Sequence, residues 1–190
     1  MLAVLTCTLG VTGCRGAGTA EVSRSLAQIE SRRQQARVLN DKALASSDPA
    51  RQRAWLEEAI ALDDLYGEAR NNLGVCYYQA GEFYPAATQL QRAADLMPGA
   101  VGPYVNLAIL HGALGQWERS LEFAEQAAER DPYDVGVLRA TARALYALRA
   151  KREQIAPVLE MLAQRDPEPV WREWAVGQRL QLTDREGHGG

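Results

Sequence analysis

The sequence predicts an all-α fold, an array of stacked helical hairpins, and three observations carry that prediction. Gly67 to Asp134 is one pattern written twice. Asn72 pairs with Asn106, Leu73 with Leu107, Gly74 with Ala108, Gly81 with Gly115, Phe83 with Trp117, Ala93 with Ala127 and Pro98 with Pro132, always 34 residues apart. A constant offset over a whole segment is the mark of repeated supersecondary units. The composition is globular, 47% hydrophobic and 24% charged, and it is rich in the helix formers Ala, Leu, Arg, Gln and Glu. Between the Gly and Pro punctuation, apolar residues recur at helical rather than strand spacing.

Composition also limits the function. A formal net charge of -3 gives no electrostatic case for nucleic acid. The cysteines are Cys7, Cys14 and Cys76, and only Cys76 lies in the repeat region, so no disulfide framework is available. With His111 and His188 as the only histidines, there is no metal-ligand spacing. No Ser/His/Asp set, phosphate loop or paired carboxylates can be assembled. The chain therefore reads as a protein that is not an enzyme and has no cofactor and no small-molecule substrate.

Taken in order, Met1 to Cys14 is apolar and uncharged, and polarity begins at Arg15. Such a run is shorter than the roughly 20 residues a membrane-spanning helix needs. It fits the apolar core and cleavage site of a signal peptide over residues 1–13; the competing reading is a short buried segment. No Lys or Arg precedes it, so a start upstream of Met1 is expected. Residues 14–20 read as a flexible tether. A lead-in helix follows over Glu21 to Ala45, with Val22, Leu26 and Ile29 at helical spacing. Ser46-Ser47-Asp48-Pro49 breaks it, Asp48 being placed to cap a second helix that runs to about Leu62.

Projecting the register backwards puts Leu39 under Leu73 and Ala59 under Ala93, a degenerate first unit over 33–66. The two well-formed units are 67–100 and 101–134. In each, a first helix (about 67–80 and 101–114) ends at Gly81 or Gly115, residues able to take the left-handed conformation that closes a helix. A second helix follows (about 83–96 and 117–130). Gly74 and Ala108 are small where the two helices approach, and Leu73, Leu107, Tyr77, Phe83, Trp117, Leu90, Ala93 and Ala127 are expected to fill the space between. The fourth unit, 135–168, starts in register but slips to an offset of 35 after Arg149-Ala150-Lys151, where the turn glycine is missing. Pro157 is costly inside a helix, so its second helix is expected to start late, near Gln154, and the unit to be looser. Residues 169–182 read as a capping helix with Trp171, Trp174 and Leu180 on one face, and 183–190 as a disordered tail.

The paired positions resemble the tetratricopeptide repeat, over about residues 33–167. That resemblance implies a right-handed α-solenoid of about four units, whose first helices line a concave groove that holds a peptide or helix of a protein partner. The groove positions carry over to Asn71, Val75 and Tyr78, then Val105 and Ile109, then Arg139, Arg143 and Tyr146. Arg139 and Arg143 stand one helical turn apart, which would make the C-terminal end of the groove cationic. Such a groove suits a segment with hydrophobic side chains and a nearby carboxylate, which arginine can grip with two bonds. The competing reading puts Val75, Val105 and Ile109 partly in the core and leaves both arginines merely solvated. Asn72 and Asn106 match an asparagine common in the family, but the second and third units lack the basic groove residues of its chaperone-binding carboxylate clamp. His111 reads as a packed residue, Cys76 as an inert thiol, and Glu118, Glu122, Glu125 and Glu129 as a solvated stripe.

Val11-Thr12-Gly13-Cys14 resembles the lipobox of bacterial lipoproteins. The resemblance implies cleavage before Cys14, lipidation of Cys14 with palmitate-type chains, and a location in the bacterial cell envelope. Arg15, where an Asp would mark inner-membrane retention, implies the periplasmic side of the outer membrane. Together the two resemblances imply a membrane-anchored scaffold or adaptor in envelope assembly. The alternatives are an untethered co-chaperone or regulator, or an accessory subunit of an enzyme or secretion complex.

Overall fold

A computed structural model describes residues 15–187, with side chains over 20–182. The signal-peptide reading and Cys14 lie outside the described residues. Nine helices and no strand occur among the described residues: α1 (Arg15–Ala45), α2 (Pro49–Leu62), α3 (Gly67–Gln79), α4 (Phe83–Leu96), α5 (Val101–Ala113), α6 (Trp117–Ala128), α7 (Val135–Ala147), α8 (Arg152–Arg165) and α9 (Pro169–Gly187). They pack as successive hairpins, α1 with α2, α3 with α4, α5 with α6 and α7 with α8, and α9 closes against α8. Neighbouring hairpins meet through α2–α3, α4–α5 and α6–α7, and the first helices stand side by side, α3 on α5 and α5 on α7.

The hairpin turn recurs at the same register in three units. Gly81 and Gly115 have φ of 77° and 71°. The amide of Gly81 donates to the Tyr78 carbonyl and that of Glu82 to Tyr77; Gly115 and Gln116 repeat this on Gly112 and His111. Unit four keeps the geometry without the glycine. Arg149 takes φ 52° and donates to Tyr146, while Ala150 donates to Leu145. The left-handed conformation costs a residue with a Cβ about 1–2 kcal/mol. Arg149→Gly is therefore expected to stabilise the protein by about 1 kcal/mol, read as a higher midpoint in urea at unchanged slope; an unmoved midpoint would mean the turn carries no strain.

The inserted residue is Ala150. In the middle units the turn residue is followed at once by the helix cap, Glu82 or Gln116, whereas here Ala150 intervenes before Lys151. α8 begins at Arg152, not near Gln154 as the sequence suggested. The Gln154 side chain turns back to accept from the Lys151 amide at 3.2 Å, which fixes the first turn. Pro157 is tolerated because the carbonyl it leaves unpaired belongs to exposed Glu153. Nor is the unit loose: Ile155, Leu159 and Leu162 are all at most 2% exposed and pack on Leu138, Ala142 and Leu145.

Close approach depends on small residues, as expected. A Cβ on Gly74 would lie 2.6 Å from Leu90 Cγ and 3.3 Å from the Ala86 carbonyl oxygen, so α3 and α4 meet where no side chain fits. At the matching position Ala108 is fully buried, and Ser120 donates to its carbonyl at 2.7 Å. The core between units gathers Leu90, Leu107, Leu110 and Val137. Phe83 departs from the expected packing: it is 37% exposed and lies against Tyr78, ring centres 6.0 Å apart. Arg130 binds one unit to the next, its Nε donating to the Pro98 carbonyl at 2.6 Å with its guanidinium over the Tyr104 ring.

The ends are longer than read from sequence. α1 is helical from Arg15, where a flexible tether was expected, and α9 continues to Gly187, into the expected tail. Extending an existing helix adds a hydrogen bond for each residue fixed, without a new nucleus, and neither stretch holds a proline. At the other boundary Asp48 caps α2 as expected, accepting from the Ala50 and Arg51 amides, with Pro49 opening the helix.

Candidate binding face

The row of first helices carries a chain of asparagine side chains. Asn72 Nδ2 donates to Asn40 Oδ1 at 2.8 Å, joining α3 to α1. Asn106 Nδ2 donates to Asn71 Oδ1 at 2.9 Å, joining α5 to α3. Asn71 and Asn72 touch more weakly at 3.4 Å. Asn40 is buried, while the other three are half-buried. Each amide retains donor or acceptor capacity beyond these bonds. Val75, Tyr78 and Ile109 stand half-buried on the same helices, Tyr78 and Ile109 resting against the central core.

Two groove candidates have other duties. Val105 is 8% exposed and belongs to the central core. Its Cγ1 lies 3.1 Å from the point where a Cβ on Gly136 would stand, so it fills the α5–α7 contact that this glycine opens. Arg139 is not a free cation. Its Nε and Nη2 donate to the two carboxylate oxygens of Asp166 at 2.7 and 2.6 Å, and Nη2 also pairs with Glu168 at 2.9 Å. The guanidinium lies over the Trp171 ring, 5.1 Å from its centre. The Asp166 side chain is fully buried and accepts in addition from the Glu168 amide. These bonds hold Arg139 above its ordinary pKa. The Arg139 hydrogen bonds also hold the Asp166 carboxyl below its own ordinary value, against the burial that would raise it.

Arg143 and Tyr146, by contrast, are exposed and line one cleft of about 570 Å³. Across it α9 presents Val170, Trp171 and Trp174, and Trp117 at the start of α6 closes one end. Trp174 is held edge-on by both neighbours, ring centres 6.0 Å from Tyr146 and 5.7 Å from Trp171. The sequence placed Trp171 and Trp174 in a cap and Trp117 in the core. The available signal was the composition of α9, with two of the four tryptophans of the chain one turn apart and an apolar residue, Val170, beside them. His111 is packed, 8% exposed, with its ring stacked on Phe123 and Nδ1 2.7 Å from Gln116 Oε1. Cys76 is half-buried, and burial pushes its thiol pKa up, which keeps it in the unreactive protonated form.

No family model and no curated protein matches this sequence. Solved structures do match in fold. The first TPR of Spaghetti (RPAP3), bound to the HSP90 peptide SRMEEVD, aligns with a TM-score of 0.59 at 17% identity, covering 62% of this chain and 96% of that one. This chain is also a tetratricopeptide-repeat fold. MamA aligns at 0.58 and 18% identity over 75% of this chain and 83% of its own. An O-GlcNAc transferase mutant from Thermobaculum terrenum aligns at 0.61 and 24% identity over 74% of this chain, but over only 27% of its own length. At these identities the likeness is one of tetratricopeptide-repeat architecture alone. Of the eight groove positions carried over from that architecture, Asn71, Val75, Tyr78, Ile109, Arg143 and Tyr146 remain accessible, while Val105 and Arg139 are committed to packing.

Proposed function

We propose that this chain is a protein-interaction scaffold that holds a partner segment along the first helices, and that Cys14 tethers it by lipid to the bacterial cell envelope, on the periplasmic side of the outer membrane. The observation that carries the binding reading is the half-buried amide row of Asn71, Asn72 and Asn106, linked by hydrogen bonds and set beside Val75, Tyr78 and Ile109. Amides with spare donors and acceptors can pair with a peptide backbone, and the flanking apolar side chains can take its side chains. The first TPR of Spaghetti (RPAP3) is bound to an HSP90 peptide on a similar architecture. The cationic residues a co-chaperone role would call for are reduced here, because Arg139 is already neutralised by Asp166. The scaffold reading is therefore preferred to that of an untethered co-chaperone.

The tether rests on Val11-Thr12-Gly13-Cys14. No helix among the described residues is long and apolar enough to cross a membrane. A photo-crosslinker at Tyr78 should capture one partner in living cells, whereas the same probe at Glu122, on the exposed face of α6, should not. Equal capture at both sites would refute the groove. Intact mass spectrometry of membrane-extracted protein should show an N-terminal diacylated Cys14; a chain with the first 14 residues retained and unmodified would remove the tether.

A further inference from the structure

The cleft between α7 and α9 has a chemistry that the rest of the first-helix row lacks. Its walls are aromatic, and Arg143 is the one charged side chain among the residues that line it. Tyr146 is 47% and Val170 66% exposed, so apolar surface on both walls faces solvent. Ala147 contributes little bulk of its own, and the volume of about 570 Å³ is in the range of small-ligand pockets. The rings are fixed against one another in edge-on pairs, and the Arg139 guanidinium, itself locked by Asp166, lies over the Trp171 ring. Such a site is formed before anything binds, which lowers the ordering cost of binding.

Charge selects the occupant. An aromatic cage ordinarily attracts a cation, but here Arg143 stands in the wall, and no carboxylate lines the cleft. Among the described residues Arg143 has no ion-pair partner, whereas Arg139, one turn before it, has two. A bound cation would meet like charge, while an anion would find an unpaired guanidinium beside a dry wall. Resting on the scaffold reading above, we propose that this cleft seats one large hydrophobic side chain, aromatic or aliphatic, of an extended partner peptide, whose adjacent carboxylate pairs with Arg143. The asparagine row then takes the peptide's backbone, and the cleft supplies selectivity at one end.

Tryptophan gives the test its own internal control. Trp117, Trp171 and Trp174 line the cleft, whereas Trp55, on α2, is half-buried against the core at the other end of the stack. The probes are four capped hexapeptides, each with a central pair in a Gly-Ser frame: Leu-Asp, Trp-Asp, Leu-Lys and Ser-Asp. They are titrated into the ¹⁵N-labelled full chain while the four indole N–H signals are followed. Leu-Asp and Trp-Asp are expected to shift the three cleft indoles and leave Trp55 unmoved, binding about tenfold more tightly than Leu-Lys or Ser-Asp, a preference of about 1.4 kcal/mol. Arg143→Glu, at an exposed position, should keep the fold and turn the preference towards Leu-Lys. Equal shifts with Leu-Asp and Leu-Lys, or cleft shifts with tetramethylammonium alone, would overturn the proposal. So would peptide-induced shifts at the Asn71 and Asn106 side-chain amides with the cleft indoles still, a result that leaves the scaffold reading standing. Silence at both sites would overturn the two together.

Discussion

Replacing Asp166 by alanine is expected to remove about 3–5 kcal/mol from the unfolding free energy at neutral pH. The carboxylate is fully buried and accepts three hydrogen bonds, two from Arg139 and one from the Glu168 amide. It sits where α8 ends and α9 begins, so its loss removes the paired hydrogen bonds that tie Arg139 of α7 to that junction. Removing one member of a buried pair costs more than removing both, because the remaining charge is left without its partner. Arg139 keeps Glu168 at 2.9 Å, which places the loss toward the lower end. A double replacement, Arg139→Leu with Asp166→Leu, should recover part of it. The pH dependence follows from the sign of the shift. The folded state lowers the Asp166 pKa, so its contribution is complete above the ordinary aspartate value and is lost as pH falls through the lower, folded one. Urea midpoints of native protein and variant should therefore converge in acid. A constant gap from neutral pH down to pH of about 2, well under the ordinary aspartate value, would show that the effect is not ionic.

Leu107→Ala should cost about 2–5 kcal/mol. Leu107 is 1% exposed and packs in the central core with Leu90, Leu110 and Val137, residues drawn from three successive units. In a stack of repeats each unit is stable only through its neighbours, so a cavity here weakens two interfaces at once. The comparison is Leu114→Ala, about two helical turns further on, at the C-cap of α5 and 41% exposed, expected within about 0.5 kcal/mol of the native protein. Similar losses at the two positions would contradict this placement of the core.

The architecture was legible because its determinants are local or strictly periodic. Gly81 and Gly115 announce the turns by their freedom at positive φ, and Gly74 and Ala108 announce the helix contacts by their size. What was missed depends on contacts between residues distant in sequence. Arg139 and Arg143 look equivalent on a helical wheel. Only the folded chain shows that Asp166, 27 residues further on, takes the first and leaves the second. Trp171 and Trp174 read as a cap because amphipathicity tells which face is apolar but not what stands opposite. Val105 read as a groove residue because the register position does not reveal that Gly136 lets α7 come close enough to cover it. The late start expected for α8 failed differently: the carbonyl that Pro157 leaves without a donor belongs to Glu153, an exposed residue, so the proline costs less there than in a buried turn.

The asparagine row also constrains how this molecule could have grown. Asn106, at the second asparagine position of its unit, donates to Asn71, at the first position of the unit before, whereas Asn72 reaches Asn40 at another register position. A tandem duplication of residues 67–100 keeps the Asn106-type pairing, since the Asn72 of the later copy would find the Asn71 of the earlier one. A duplication of residues 101–134 breaks it, because the new Asn106 would face Val105. Ala140, at the position after Val105 in the following unit, needs no acceptor, and the row stops there. Lengthening of this array by gene duplication is thus compatible with the bonding on one side of Val105 and not on the other.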